Sequence, residues 1–210
     1  MQKRVVWISM GLAFVLWYVM FVERPFNFWL MMSFSTALLS LITLWVGRPL
    51  LTRDEWTATN VLIGIGSGMV LYFIFWLGHH ALIVMEQWMP GLLQNRAANL
   101  GAIYANRGEL PAQWVALLLF FPIGFGEEFY WRGLVQKYFS KRYSRWGGLL
   151  LTALLYTAVH VATGNVVLLL AAVVCGLYWG ALYAWRGQLL PVLISHMLWD
   201  PFIFIVRPIM

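Results

Sequence analysis

Residues 112–132 read AQWVALLLFFPIGFGEEFYWR, an apolar run that closes on two adjacent carboxylates, Glu127 and Glu128, and an arginine, Arg132. The run is apolar enough to lie inside a lipid bilayer, where a charged side chain costs about 2.5 to 3.5 kcal/mol on insertion scales. Ionisable groups at such depth are functional candidates by default. Comparable apolar runs lie at about 5–22, 26–47, 57–78, 146–163, 165–185 and 189–206. A span needs roughly 20 apolar residues. The expected fold is therefore all-α: a polytopic transmembrane helical bundle of about seven spans enclosing a polar intramembrane cavity. Residues 1–210 form a single integral membrane domain in this reading, with no room for a separate soluble one.

Composition agrees, since 62% of residues are hydrophobic, 10% are charged and 13 are tryptophan. Soluble domains are not built this way. The single cysteine, Cys175, lies in an apolar run without a partner, which leaves no intrachain disulfide or cysteine metal site to propose. The net charge of +6 comes from basic residues placed between apolar runs, a pattern of membrane orientation rather than nucleic-acid binding.

With the N-terminus cytoplasmic, the cytoplasmic side collects Lys3, Arg4, Arg48, Arg53, Arg132, Lys137, Lys141, Arg142, Arg145 and Arg186. Arg24, Arg96, Arg107 and Arg207 fall outside. That asymmetry follows the positive-inside rule. The first run follows Lys3 and Arg4 as a signal peptide would, but shows no small-residue cleavage site before Glu23 and reads as a retained anchor. The compact chain is expected in a bacterial plasma membrane.

From His79 to Pro111 the chain is too polar to span. Leu92, Leu93, Arg96, Leu100, Ile103, Tyr104 and Arg107 recur at three- and four-residue steps, which predicts an amphipathic helix at the outer surface, either a cover or a gate. Trp56, Trp88, Trp114 and Trp146 fall near predicted span ends and read as interfacial anchors, and His79 and His80 also read as interfacial.

Two further runs carry histidines, His160 and His196, the latter with Asp200 one turn on. At about 1.5 Å rise per residue, Glu127 and Glu128 lie roughly 14 to 15 Å from the basic end near Lys137. His196 and Asp200 lie roughly 12 and 18 Å in from Gln188, and His160 roughly 20 Å in from Trp146. Three helices thus offer polar groups at one level, as a shared cavity in the inner half of the bilayer requires, open to the cytoplasm or sideways to lipid. Residues four apart share a helix face. Glu128 pairs with Arg132, which frees Glu127 to face elsewhere. His196 and Asp200 share a face, and Tyr156 precedes His160 by one turn.

At these residues the chain resembles the CAAX protease and bacteriocin-processing family of intramembrane endopeptidases, which includes the Ras-converting CAAX prenyl protease. The family's Glu-Glu-x-x-x-Arg is met by Glu127, Glu128 and Arg132; its Phe-x-x-x-His by Tyr156 and His160; its His-x-x-x-Asn/Asp by His196 and Asp200. The resemblance covers about residues 112–202, and the first hundred residues add only hydrophobicity to it. It implies a peptidase that cleaves a membrane-associated peptide or protein, with water activated by Glu127 and His160 and no cofactor. His196 and Asp200 then stabilise the oxyanion, and Glu128, Arg132 and Tyr156 support them. An ionised Asp200 cannot donate to an oxyanion as an asparagine would, so it is expected to act through His196.

Other readings compete. Glu127, His160 and His196 are also a possible zinc set, although His-Glu-x-x-His is missing. A serine or cysteine mechanism finds Ser195 turned away from His196 and Cys175 without a base. A non-proteolytic scaffold or bacteriocin self-immunity protein would use the same polar core for binding, and polar residues also glue helices together. A proton-coupled transporter would call for paired broken helices in two similar halves, which the sequence lacks.

Overall fold

The computed structural model describes residues 2–46, 51–89, 91 and 95–209. Ten α-helices occur among them and no strand: α1 (Gln2–Tyr18), α2 (Phe28–Val46), α3 (Ala58–Trp88), α4 (Arg96–Ala105), α5 (Ala112–Leu118), α6 (Phe125–Tyr130), α7 (Lys137–Arg142), α8 (Arg145–Ala158), α9 (Val166–Arg186) and α10 (Leu190–Pro201). Wider π-helical turns extend α1 over Val19–Glu23 and α10 over Phe202–Val206. Others join α5 to α6 and α6 to α7, so that Ala112–Arg142 runs as one helical stretch kinked at Phe121.

This is a multi-pass helical membrane bundle. Five of its helices are long and apolar enough to cross a membrane, or six when the bent pair Arg96–Glu109 and Ala112–Arg142 counts as one span. The expected count of seven is not reached on this measure because the last apolar segment, Leu190–Val206, is a shorter helix. Outward-facing Leu62, Phe73, Leu150 and Leu154 are exposed, as contact with lipid requires. So are Trp56, Trp88, Trp114 and Trp146 near the helix ends.

Local chemistry sets the boundaries. Thr57, Ser144 and Asn165 cap α3, α8 and α9 by accepting from the backbone N–H groups of Asn60, Gly147 and Leu168. Gly187, at φ +65°, ends α9 in the left-handed conformation that glycine adopts freely. Glu55 reaches across to accept from the N–H groups of Leu189 and Leu190, at 2.7 and 2.9 Å, and so satisfies the start of α10. Leu110, extended before Pro111, breaks the chain between α4 and α5, where it turns by 104°.

The amphipathic helix expected around residues 92–107 is α4. Its predicted positions Leu92 and Leu93 lie outside the described residues. It lies across one end of the bundle, held by Arg96 to Glu86 of α3 at 3.0 Å, by the Asn99 carbonyl to Asn165, and by Tyr104 to the Ile203 carbonyl. The adjoining turn joins in, as Arg24 bonds Asn106 and Glu109 and the N–H of Phe28 bonds Glu109. At the opposite end Trp7 packs on Phe139, and Arg186 donates to Asn60.

The α3–α10 packing rests on two glycines. A Cβ at Gly64 would stand 2.7 Å from the Ile194 Cβ, and one at Gly68 3.1 Å from the Ser195 carbonyl oxygen. Small residues four apart let helix backbones approach closely in a membrane. α10 carries His196 and Asp200 on this seat.

Candidate functional site

α6 and the π-helical turn after it present Glu127, Glu128 and Arg132, all buried. Adjacent residues point about 100° apart, and the two carboxylates part company accordingly. Glu128 turns inward. One of its oxygens, Oε1, accepts from Arg132 Nη1 and from His196 Nδ1, both at 2.8 Å. Arg132 also donates from Nη2 to the carbonyls of Cys175 at 3.3 Å and Gly176 at 3.1 Å, and lies over the rings of Tyr156 and Trp179. One turn on, Gln136 bonds the Gly180 carbonyl at 2.8 Å. The arginine therefore neutralises an acid and clamps α9 as well. Because it is fully buried, it does not belong with the cytoplasmic surface cations to which the sequence reading assigned it.

Glu127 faces the other way. Its Oε2 accepts the Tyr156 hydroxyl at 2.8 Å, and the residue lines a cavity of about 400 Å³. Tyr156, His160, His196 and Asp200 line the same cavity, whereas Glu128 and Arg132 stand behind its wall. The expected division between a carboxylate facing the cavity and one held in an ion pair is what the structure displays.

His160 sits at the end of α8 with both ring nitrogens engaged. Nδ1 lies 2.8 Å from the Tyr156 carbonyl, which can only accept, so this nitrogen carries the proton. Nε2 accepts the indole N–H of Trp17 at 3.2 Å. The two partners fix one neutral tautomer. Trp17, Phe21 and Tyr156 enclose the ring.

His196 stacks on Trp179, with centroids 3.7 Å apart and planes 18° apart. Its Nδ1 meets Glu128, and its Nε2 lies 3.2 Å from Asp200 Oδ2. A doubly protonated ring satisfies both carboxylates at once. Asp200 thus lines the cavity and also meets His196, whose helix face it shares. Ser195 is turned away and accepts from Trp179 Nε1 at 3.0 Å, while Cys175 is buried.

The possible zinc set does not assemble. Among the described residues no group of three or more His, Cys, Asp or Glu side chains is placed to hold a metal ion. The nitrogens of His160 and His196 are directed at Trp17, the Tyr156 carbonyl, Glu128 and Asp200. Ligation would require breaking those bonds.

Two participants escaped the sequence reading, Trp17 and Trp179. A usable signal existed, since both indoles lie well inside apolar runs, where a buried N–H must find an acceptor. His79 also lines the cavity, because α3 continues about ten residues beyond its predicted end. The cavity runs from Glu127 toward the α4 end of the bundle, reaching Arg24, His79 and Arg96. The expected opening is to the cytoplasm or sideways to lipid, and no described Lys or Arg of the basic end lines the cavity. There Glu55, Gln136 and Arg186 tie the elements together, whereas toward α4 the cavity parts α3 from α9.

Residues 109–202 match the family model for type II CAAX prenyl endopeptidase Rce1-like proteins. The resemblance carried by the three motifs is borne out over that segment. No curated protein and no solved structure matches the chain.

Proposed function

We propose, for a chain whose residues 109–202 match the family model for type II CAAX prenyl endopeptidase Rce1-like proteins, an intramembrane peptidase that cleaves a membrane-associated peptide or protein by a glutamate-type mechanism. The observation that carries it is the placing of Glu127, His160, His196 and Asp200 on one cavity with the Glu128–Arg132 pair behind them.

A water held between Glu127 and His160 Nε2 gives up a proton to the carboxylate as its oxygen attacks the scissile carbonyl. That water takes the place of the Trp17 indole on Nε2. The tetrahedral oxyanion forms beside the cationic His196, whose charge Glu128 and Asp200 hold in place. Collapse breaks the C–N bond, and the proton on Glu127 passes to the leaving amine. Tyr156 holds Glu127 through its hydroxyl and His160 through its carbonyl, which fixes the spacing of the pair.

The test is cleavage of a membrane peptide by purified protein after exhaustive chelation. Turnover should persist in metal-free buffer and vanish in Glu127→Gln. Stoichiometric zinc whose removal abolishes activity and whose return restores it would overturn the mechanism. A second reading, a binding scaffold or self-immunity protein, draws on the closure of the Glu128–Arg132–His196 network within the protein, which architecture alone also explains. In that case Glu127→Gln leaves the biological effect intact.

A further inference from the structure

We propose that this cavity is loaded from the non-cytoplasmic face, so that the substrate is a peptide segment presented at the outer surface of the membrane, with apolar residues flanking the scissile bond. The inference deepens the peptidase reading and rests on it for the word substrate. The sidedness of the cavity stands independently.

The first observation is charge. With Arg132 removed to the interior, eight of the thirteen described Lys and Arg residues remain at the end formed by the start of α1, the turn before α3, the α7–α8 hairpin and the α9–α10 turn. Only Arg24, Arg96, Arg107 and Arg207 belong to the α4 end, where Arg24 pairs with Glu109 and Arg96 with Glu86. An excess of Lys and Arg in short connections marks the cytoplasmic side. The α4 end therefore faces out and the N-terminus faces in.

The second observation is the shape of the cavity. Its floor holds Glu127, His196 and Asp200, and its walls rise toward the α4 end, ending among Arg24, Arg96 and Asn106. None of these eight basic residues lines it. Two of its walls are apolar stretches of membrane-spanning helix, Ile74 to Leu82 of α3 and Val167 to Ala171 of α9. Extended chain entering under α4 meets a polar floor between greasy walls, which suits a peptide with apolar flanks.

The test uses single cysteines in a Cys175→Ala background: Ala98→Cys and Leu100→Cys on α4, and Tyr143→Cys at the basic end. Sealed right-side-out vesicles from a bacterial host are treated with a membrane-impermeant maleimide. The two α4 positions should label, and Tyr143→Cys should label only in inverted vesicles. In parallel, an apolar-flanked membrane peptide added outside wild-type vesicles should be cleaved, and the same peptide inside them should not. Labelling of Tyr143→Cys from outside, or cleavage confined to peptide on the basic side, overturns the proposal. If the α4 positions label from outside but no peptide is cut on either side, sidedness holds and the peptidase reading fails. Two α4 positions guard against one variant failing to fold.

Discussion

The indole N–H of Trp17 donates to Nε2 of His160 across 3.2 Å, so a residue of the first helix occupies the lone pair that a water must use. Trp17→Phe keeps an aromatic ring in the same fully buried place and removes the donor. If indole and water compete, this variant cleaves at least as fast as wild type, with a fall in stability of about 1 kcal/mol for the lost bond. Steady-state rates with thermal unfolding in detergent check it. A loss of about a hundredfold in kcat at unchanged stability would mean that the indole orients the imidazole instead.

Removing Arg132 strands the Glu128 carboxylate in the interior, a change that typically costs about 3 to 5 kcal/mol. Arg132→Met should unfold at markedly lower temperature or fail to survive extraction. Arg132→Lys should recover little, because an ammonium lacks the planar fork that reaches Glu128 and the Cys175 and Gly176 carbonyls together. The double variant Glu128→Gln with Arg132→Met should be less damaged than the sum of its parts.

Glu127→Gln should differ in kind. The amide oxygen still accepts the Tyr156 hydroxyl, so folding is kept while proton abstraction is lost, with a fall in turnover of at least about a hundredfold. Tyr156→Phe should lower kcat by about tenfold through a loosened Glu127, since a hydrogen bond to a charged group is worth about 1.5 to 3 kcal/mol. An unfolding temperature near wild type in Glu127→Gln ties its loss to chemistry. A Glu127→Gln enzyme with full rate sinks the assignment.

α10 offers a purely steric test. Gly68→Leu or Gly64→Val should push against Ser195 and Ile194 and shift the helix that carries His196 and Asp200. Activity should fall by more than stability does, because a misplacement of about 1 Å can cost a hundredfold in rate. Gly66→Ala, with open space around its Cβ, is the matched control and should behave as wild type.

Much of the site was legible because helical spacing is a rigid rule. Glu128 had to meet Arg132, and His196 had to meet Asp200, before any tertiary contact was known. The opposite facing of Glu127 followed from the same geometry. What spacing does not encode is the pairing of distant elements. The bond from His196 to Glu128 joins residues 68 apart, and that from Trp17 to His160 joins residues 143 apart. Counting crossings proved harder for a related reason. Apolar length marks a span, but Pro111 and a stretch as short as Leu190–Val206 place helical segments where length alone is ambiguous. Depth along each helix left the opening undecided between cytoplasm and lipid, because it says nothing about where neighbouring helices part.

Glu109, the first residue of the family-matched segment, accepts both the Arg24 guanidinium and the backbone N–H of Phe28. Trp17 meanwhile reaches His160, and Gly64 and Gly68 seat α10. Contacts from the first hundred residues thus reach into the family-matched segment at each of these places. A fragment trimmed to the recognisable motifs would lose the seat beneath α10 and the indole on His160. Grafted into a relative, the motif-bearing segment would have to find a substitute for each of these contacts on its new neighbours.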